Sequence, residues 1–133
     1  MNKDVALRLY NEVWNQKKLA VIDEIFADDF AIFAPGIVVT DKKVLKEFIH
    51  SWMTSFPDIH HEVEDVVEQG NKLALRFKGK GTHLGQFMDL APTHKGFSYT
   101  GMNFMHFEGG KIKKLWLNSS IFELVAHLRE HSR

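Results

Sequence analysis

Two histidine settings are the first places to look for proton chemistry. His83 sits in Gly81-Thr82-His83-Leu84-Gly85, where alternation from Leu73 to Phe77 brings it inward at the end of a strand and the string reads as a loop at the cavity mouth. An imidazole titrates near neutral pH and can move protons, so His83 is a candidate general base. The competing reading is a loop histidine hydrogen-bonded for structural reasons. His61 and Asp65 lie four apart in a strand-like stretch, and alternation puts them on one face with Ile59, Val63 and Val67. A carboxylate among valines needs a partner, and His61 is the near one; the pair is either an orienting device or a structural link. His60 points to the opposite face, so the adjacent histidines do not chelate.

Other chemistries lack their residues. The chain has eight histidines but no cysteine, and so no Cys/His cluster. The expectation is therefore no metal, no disulfide and no thiol nucleophile. Gly79, Gly81 and Gly85 lie in and after a strand with no helix to follow, which is not a phosphate-binding loop, and no cofactor is expected.

At 133 residues the chain fits one domain, here 1–133, with no linker, repeat or low-complexity stretch. Lys plus Arg and Asp plus Glu are each 17, so no net field favours nucleic acid or an anionic membrane. No apolar run approaches the roughly 18 residues of a bilayer span, and Met1-Asn2-Lys3-Asp4 carries no signal-peptide pattern, so a cytoplasmic location is expected. The aromatic count is high for this length, with 11 Phe, 3 Trp and 2 Tyr, enough for some rings to line a cavity.

The elements that would position these groups follow from periodicity. Val5, Leu9 and Val13, flanked by Ala6, Tyr10 and Trp14, predict a helix over 4–15. Leu19, Ile22, Ile25 and Phe26 predict a second, shorter one, and 31–33 a short strand before the Pro35-Gly36 turn. Thr40 or Asp41 caps a third helix with Val44, Leu45, Phe48, Ile49 and Trp52 on one face, ended at Phe56-Pro57. Strands are predicted over 59–69 and 72–83, joined at Gly70-Asn71, and over 96–107 and 111–119, joined at Glu108-Gly109-Gly110. Ile121, Leu124, Val125 and Leu128 mark a terminal helix, and Ser120-Ile121-Phe122-Glu123 reads as a capping box. Helices, then an antiparallel meander, then a helix define an α+β class.

Several strings in this order resemble the SnoaL-like polyketide cyclase family of the nuclear-transport-factor-2-like superfamily. They are Tyr10-Asn11-Glu12-Val13-Trp14-Asn15, Phe26-Ala27-Asp28-Asp29-Phe30, Phe56-Pro57-Asp58, Gly81-Thr82-His83-Leu84-Gly85, Ala91-Pro92-Thr93 and Phe107-Glu108-Gly109-Gly110-Lys111-Ile112. The resemblance implies a cone-shaped curved sheet wrapped around the N-terminal helices, with an apolar pocket at its open end. It implies a small apolar carbonyl-type ligand and acid/base cyclisation, isomerisation or hydrolysis. The alternative is a non-catalytic ligand-binding or protein-interaction module, since fold alone does not fix function.

The resemblance also sorts residues. A family cyclase carries an inward carboxylate four residues after the tryptophan of the last strand, where this chain has Ser120. Ser120 is then either a helix cap or a pocket hydroxyl. Ketosteroid isomerases pair a first-helix tyrosine with an aspartate on the penultimate strand, and Tyr10 and Asn103 match those positions. Their base aspartate is matched by Ala34. Tyr10 and Asn103 would hold or polarise a ligand and His83 would transfer a proton. A regular hairpin at Gly109-Gly110 would put Tyr99, Gly101, Asn103, Met105, Trp116, Asn118 and Ser120 on the pocket face, with Thr100, Met102, Phe104, His106, Leu115 and Leu117 opposite. Trp14, Phe33, Trp52, Phe56, Phe87, Tyr99 and Trp116 supply the aromatic lining, and the outer sheet face is the expected homodimer contact.

Overall fold

The N-terminal apolar stripe winds as two kinds of helix in the computed structural model, which describes residues 2–130. An α-helix, α1 (Asn2–Arg8), runs directly into a π-helical turn over Leu9–Trp14. Ala6, Leu9, Tyr10 and Val13 are buried along it. Short π segments insert an extra residue per turn and are often found at functional sites. The Arg8 guanidinium pairs with Glu12 at 2.9 Å and Glu24 at 3.0 Å across the turn.

A 3-10 turn (Leu19–Val21) and α2 (Ile22–Ile25) follow. Phe26, read as part of that helical stripe, opens a strand instead: β1 spans Phe26–Ala34, longer than 31–33, and β2 spans Ile37–Val39. The Asp41 side chain accepts the N–H groups of Lys43 and Val44 at 2.7 and 3.2 Å and so starts α3 (Lys42–Ser55). The remaining elements are β3 (His60–Gln69), β4 (Lys72–Thr82), β5 (Gly96–Glu108), β6 (Lys111–Ser119) and α4 (Ile121–Glu130).

The six strands form one curved, unclosed sheet in the order β2-β1-β6-β5-β4-β3. All pairings are antiparallel except β1 with β6, which run parallel. The expected antiparallel meander is β3 to β6, and β1 reaches the sheet from the helical half and lies parallel beside the last strand. Together these elements make the expected α+β cone, with the N-terminal helices and α3 on its concave side.

Two bulges redistribute side chains. The β5–β6 turn is the two-residue Gly109-Gly110, with φ of 59° and 77°, and Glu108 faces Lys111. Both central residues at positive φ suit the strand twist of a tight hairpin and favour glycine. The register next to the turn is the expected one, but between His106 and Phe107 it slips because Lys113 is an extra residue on β6. Beyond that point Asn103 faces Leu117 rather than Trp116, and Met102 faces Asn118. A one-residue slip moves every later side chain to the other face. Trp116, Asn118 and Ser120 are therefore corrected to the outer face, and Leu115 and Leu117 to the inner. Lys113 ion-pairs with Asp29 at the bulge.

The second bulge, at Glu64, does the same to β3. Val63 faces Phe77 but Asp65 faces Arg76. Asp65 thus turns to solvent, 3.8 Å from the Arg76 guanidinium, and is no neighbour of buried His61. The expected His61–Asp65 pair does not form.

Candidate functional site

Inside the cone lie two adjoining chambers of ≈180 and ≈110 Å³. Tyr10, Trp14, Ala34, Ile37, Phe48 and Leu117 border both. Ile37 and Phe48 are about half exposed, so the mouth lies between the β1–β2 turn and α3. The walls are apolar apart from a few side chains, the usual makeup of a small-molecule site.

The first polar group is a pair. Asn103, on the inner face of β5, donates from Nδ2 to the Tyr10 hydroxyl, which comes from the π-helical turn. Both side chains are buried. Because the phenol oxygen accepts from Asn103, its own proton remains for a third group. Asn103 Oδ1 has no partner. Burial pushes the Tyr10 pKa well above that of a free phenol, so the group stays a neutral donor.

The second is His61 with Tyr99. His61 Nε2 and the Tyr99 hydroxyl share a hydrogen bond. The His61 ring packs against Trp14 at 4.6 Å, Phe77 at 5.5 Å and Tyr10 at 5.8 Å. Asn15 fixes its backbone: Nδ2 donates to the His61 carbonyl and Oδ1 accepts the His61 N–H, both at 2.8 Å. On β4, Gly79 leaves room for the Tyr99 ring, since a Cβ there would come within 2.3 Å of it. His61 Nδ1 is buried without a partner. Burial, aided by neighbouring His60, lowers the His61 pKa to about 3, so the imidazole is neutral at physiological pH. Burial likewise raises the Tyr99 phenol.

His83 does not reach this cavity. It is fully buried beside Phe56 and Phe87, at ring distances of 5.7 and 6.5 Å, and lines neither chamber. Its Nδ1 accepts the Thr93 N–H at 3.2 Å and lies 3.0 Å from the Thr93 hydroxyl. His83 thus ties the segment between β4 and β5 together. Burial lowers its pKa, which keeps Nδ1 free to accept.

Among the expected aromatic residues, Trp14, Trp52 and Tyr99 line the larger chamber. Phe56 and Phe87 stand behind Trp52, at 5.5 and 5.3 Å, as packing rather than wall. Phe33 is corrected to the outer face, where it stacks on Trp116 at 5.4 Å while Ile32 and Ala34 face inward. Ser120 spends its hydroxyl on Thr100, accepting the backbone N–H at 3.0 Å. Ala34 borders both chambers and offers no functional group. Sequence reasoning missed His61–Tyr99 as a cavity pair, and Phe48, Ile37 and Ser119 as wall; the inward alternation of His61 was the available signal. Among the described residues no group of three or more His, Asp or Glu could hold a metal ion, and no helix is long and apolar enough to cross a membrane.

A curved sheet folded over N-terminal helices around such a cavity defines a cone-type α+β protein of the nuclear-transport-factor-2-like fold. The family model for SnoaL-like polyketide cyclase matches residues 4–128, and the chain belongs to that family. Among solved structures it is similar to IdmH of Streptomyces antibioticus, described provisionally as a polyketide cyclase. That match has 28% identity and a TM-score of 0.84, covering 96% of this chain and 98% of that one. AclR of Streptomyces galilaeus, described provisionally as a hydroxylase, is 23% identical with a TM-score of 0.86, covering 97% and 81%. A SnoaL-like polyketide cyclase of Agrobacterium tumefaciens is 20% identical with a TM-score of 0.77, covering 96% and 98%. The last two bear on the fold alone. No curated protein matches the sequence.

Proposed function

We propose that this protein binds a small apolar carbonyl compound in its cone and polarises the carbonyl through the Tyr10 hydroxyl, oriented by Asn103. The observation that carries the reading is the buried phenol, already accepting one hydrogen bond, with its proton left to give at the border of both chambers. A donor held in a water-poor site stabilises negative charge developing on an oxygen. The reaction class is proton transfer next to that carbonyl, as in isomerisation or cyclisation. The C–H proton passes to His61, and the electron pair moves onto the oxygen held by Tyr10. Tyr10→Phe is expected to weaken binding of 2-tetralone, followed by tryptophan fluorescence, about tenfold, the value of one buried hydrogen bond. Unchanged affinity would remove Tyr10 from the site.

One observation favours a second reading, a binder without turnover. No carboxylate lines either chamber, and His61 stays neutral down to about pH 3, which makes it a weak base. Exchange of the α-protons of 2-tetralone in D2O separates the two. A rate above buffer that falls in His61→Phe supports the catalyst; a rate equal to buffer supports the binder.

The outer sheet face supports a homodimer. Val67, Met102, Phe104 and Trp116 are 67, 63, 41 and 36% exposed around one shallow groove. A contiguous apolar patch of this kind commonly marks an interface. Sedimentation should give a dimer mass for the native chain and a monomer for Trp116→Lys; a native monomer refutes the dimer.

A further inference from the structure

The Tyr10–Asn103 pair explains one oxygen of a ligand, and the proton-transfer reading uses His61 but gives its partner Tyr99 no task. Buried polar atoms without partners are few in folded proteins, and each needs an account. Three occur among the described residues: Asn103 Oδ1, His61 Nδ1 and His83 Nε2. Two of the three belong to the pairs in the cone.

We infer that His61 and Tyr99 form a second oxygen subsite, so that the ligand is an uncharged ring compound carrying two oxygens, one for each pair. This rests on the cavity-binding reading above and narrows it. The subsite can serve either a carbonyl or a hydroxyl. If Tyr99 donates to Nε2, the His61 Nδ1–H is left to donate and the phenol oxygen to accept. If Nε2–H donates, the Tyr99 proton is left to donate and Nδ1 to accept. Each arrangement leaves one unmatched proton and one unmatched lone pair.

Charge and size narrow the class further. No Asp, Glu, Lys or Arg lines either chamber. His61 is neutral, and both phenols stay protonated. An anion or cation entering here would lose its hydration with no countercharge to meet it. A dry cavity of about 150 Å³ holds benzene. The ≈180 Å³ chamber therefore takes one substituted ring, and the adjoining ≈110 Å³ gives room for a second, fused one.

The test compares three bicyclic probes on the full chain by calorimetry at pH 7.5: 2-tetralone, 6-hydroxy-2-tetralone and 6-hydroxy-2-naphthoate. The native protein should bind the hydroxytetralone about tenfold more tightly than 2-tetralone, the value of one further buried hydrogen bond. Tyr99→Phe keeps the ring against Gly79 and should bring the two tetralones to equal affinity. The naphthoate should not bind. Equal affinities in the native protein, an advantage that survives in Tyr99→Phe, or tight binding of the naphthoate would each overturn the second subsite while leaving the cavity-binding reading in place. If neither tetralone binds, the cavity-binding reading itself fails, and the subsite with it. Should Tyr99→Phe not fold, His61→Phe makes the same comparison.

Discussion

Lowering the pH from 7 to 4 should destabilise the native protein by roughly 3 kcal/mol through His61 alone. His61 is 2% exposed, and burial puts its folded pKa near 3 against 6.5 for the free side chain. The folded value is the lower one, so below pH 6.5 the unfolded chain takes up a proton that the folded chain refuses. Stability is then full above about pH 6.5, drains as pH falls, and levels off for this group below about 3. His83, also shifted down by burial, pulls in the same direction. Asp23 and Asp29, held low by Lys46 and Lys113, add their own loss only in more acidic solution. Urea titrations at stepped pH on the native chain and on His61→Phe isolate the effect. The native curve should fall more steeply between pH 6 and 4 by about one proton. Parallel curves would mean that the imidazole is not held neutral inside the cone.

Truncating Phe56 should cost about 3–5 kcal/mol and lower Tm by ~10–20 °C. Phe56 is fully buried and joins three regions: Trp52 one turn earlier on α3, Phe97 on β5 at 4.6 Å, and Phe87 with His83 in the segment between β4 and β5. Phe56→Ala opens a void that rigid rings cannot collapse to fill. Phe48→Ala is the control, because that ring is 45% exposed at the mouth and should cost far less. Calorimetric scans of both variants measure the contrast. A Phe56→Ala protein as stable as Phe48→Ala would show that the aromatic cluster is not a stability centre.

The class of fold was legible in the sequence because periodicity is a local signal. The Leu73, Leu75, Phe77 alternation and the α3 stripe from Val44 to Trp52 each specify an element without reference to the rest of the chain. The family strings add the order in which such elements close into a cone. Face assignments failed where one residue was inserted. Neither Glu64 nor Lys113 differs in type from its charged neighbours, so nothing in the sequence marks them as bulges. Through them Trp116, Asn118 and Asp65 changed sides. Phe26 was ambiguous for another reason: it continues a helical spacing, and only its pairing with Ile112 across the molecule makes it strand.

The site was partly legible for the same reason. Tyr10 and Asn103 lie far apart in sequence, and the resemblance nominated them before any geometry was known. His83 was nominated on its type and string, yet its Nδ1 is committed to Thr93 and its ring to the Phe56 cluster. His61 sat in plain view beside Asp65, and its true partner, Tyr99, lies on a strand with which β3 makes no direct pairing.

The parallel pairing of β1 with β6 has a consequence for biosynthesis. Ala31 meets Lys114 and Phe33 meets Trp116, so the opening strand finds its main neighbour only once residues 111–119 have left the ribosome. Until then Phe26, Phe30 and Ile32 have the helices and the short β2 hairpin beside them, but not the strand that sets their register. Pairing across such a span pays its loop-closure entropy before any contact repays it, and unpaired greasy strands at that stage are open to association with other nascent chains. A stop codon ahead of Lys111 would therefore strand the first half of the molecule without its sheet, rather than yield a trimmed but working cone.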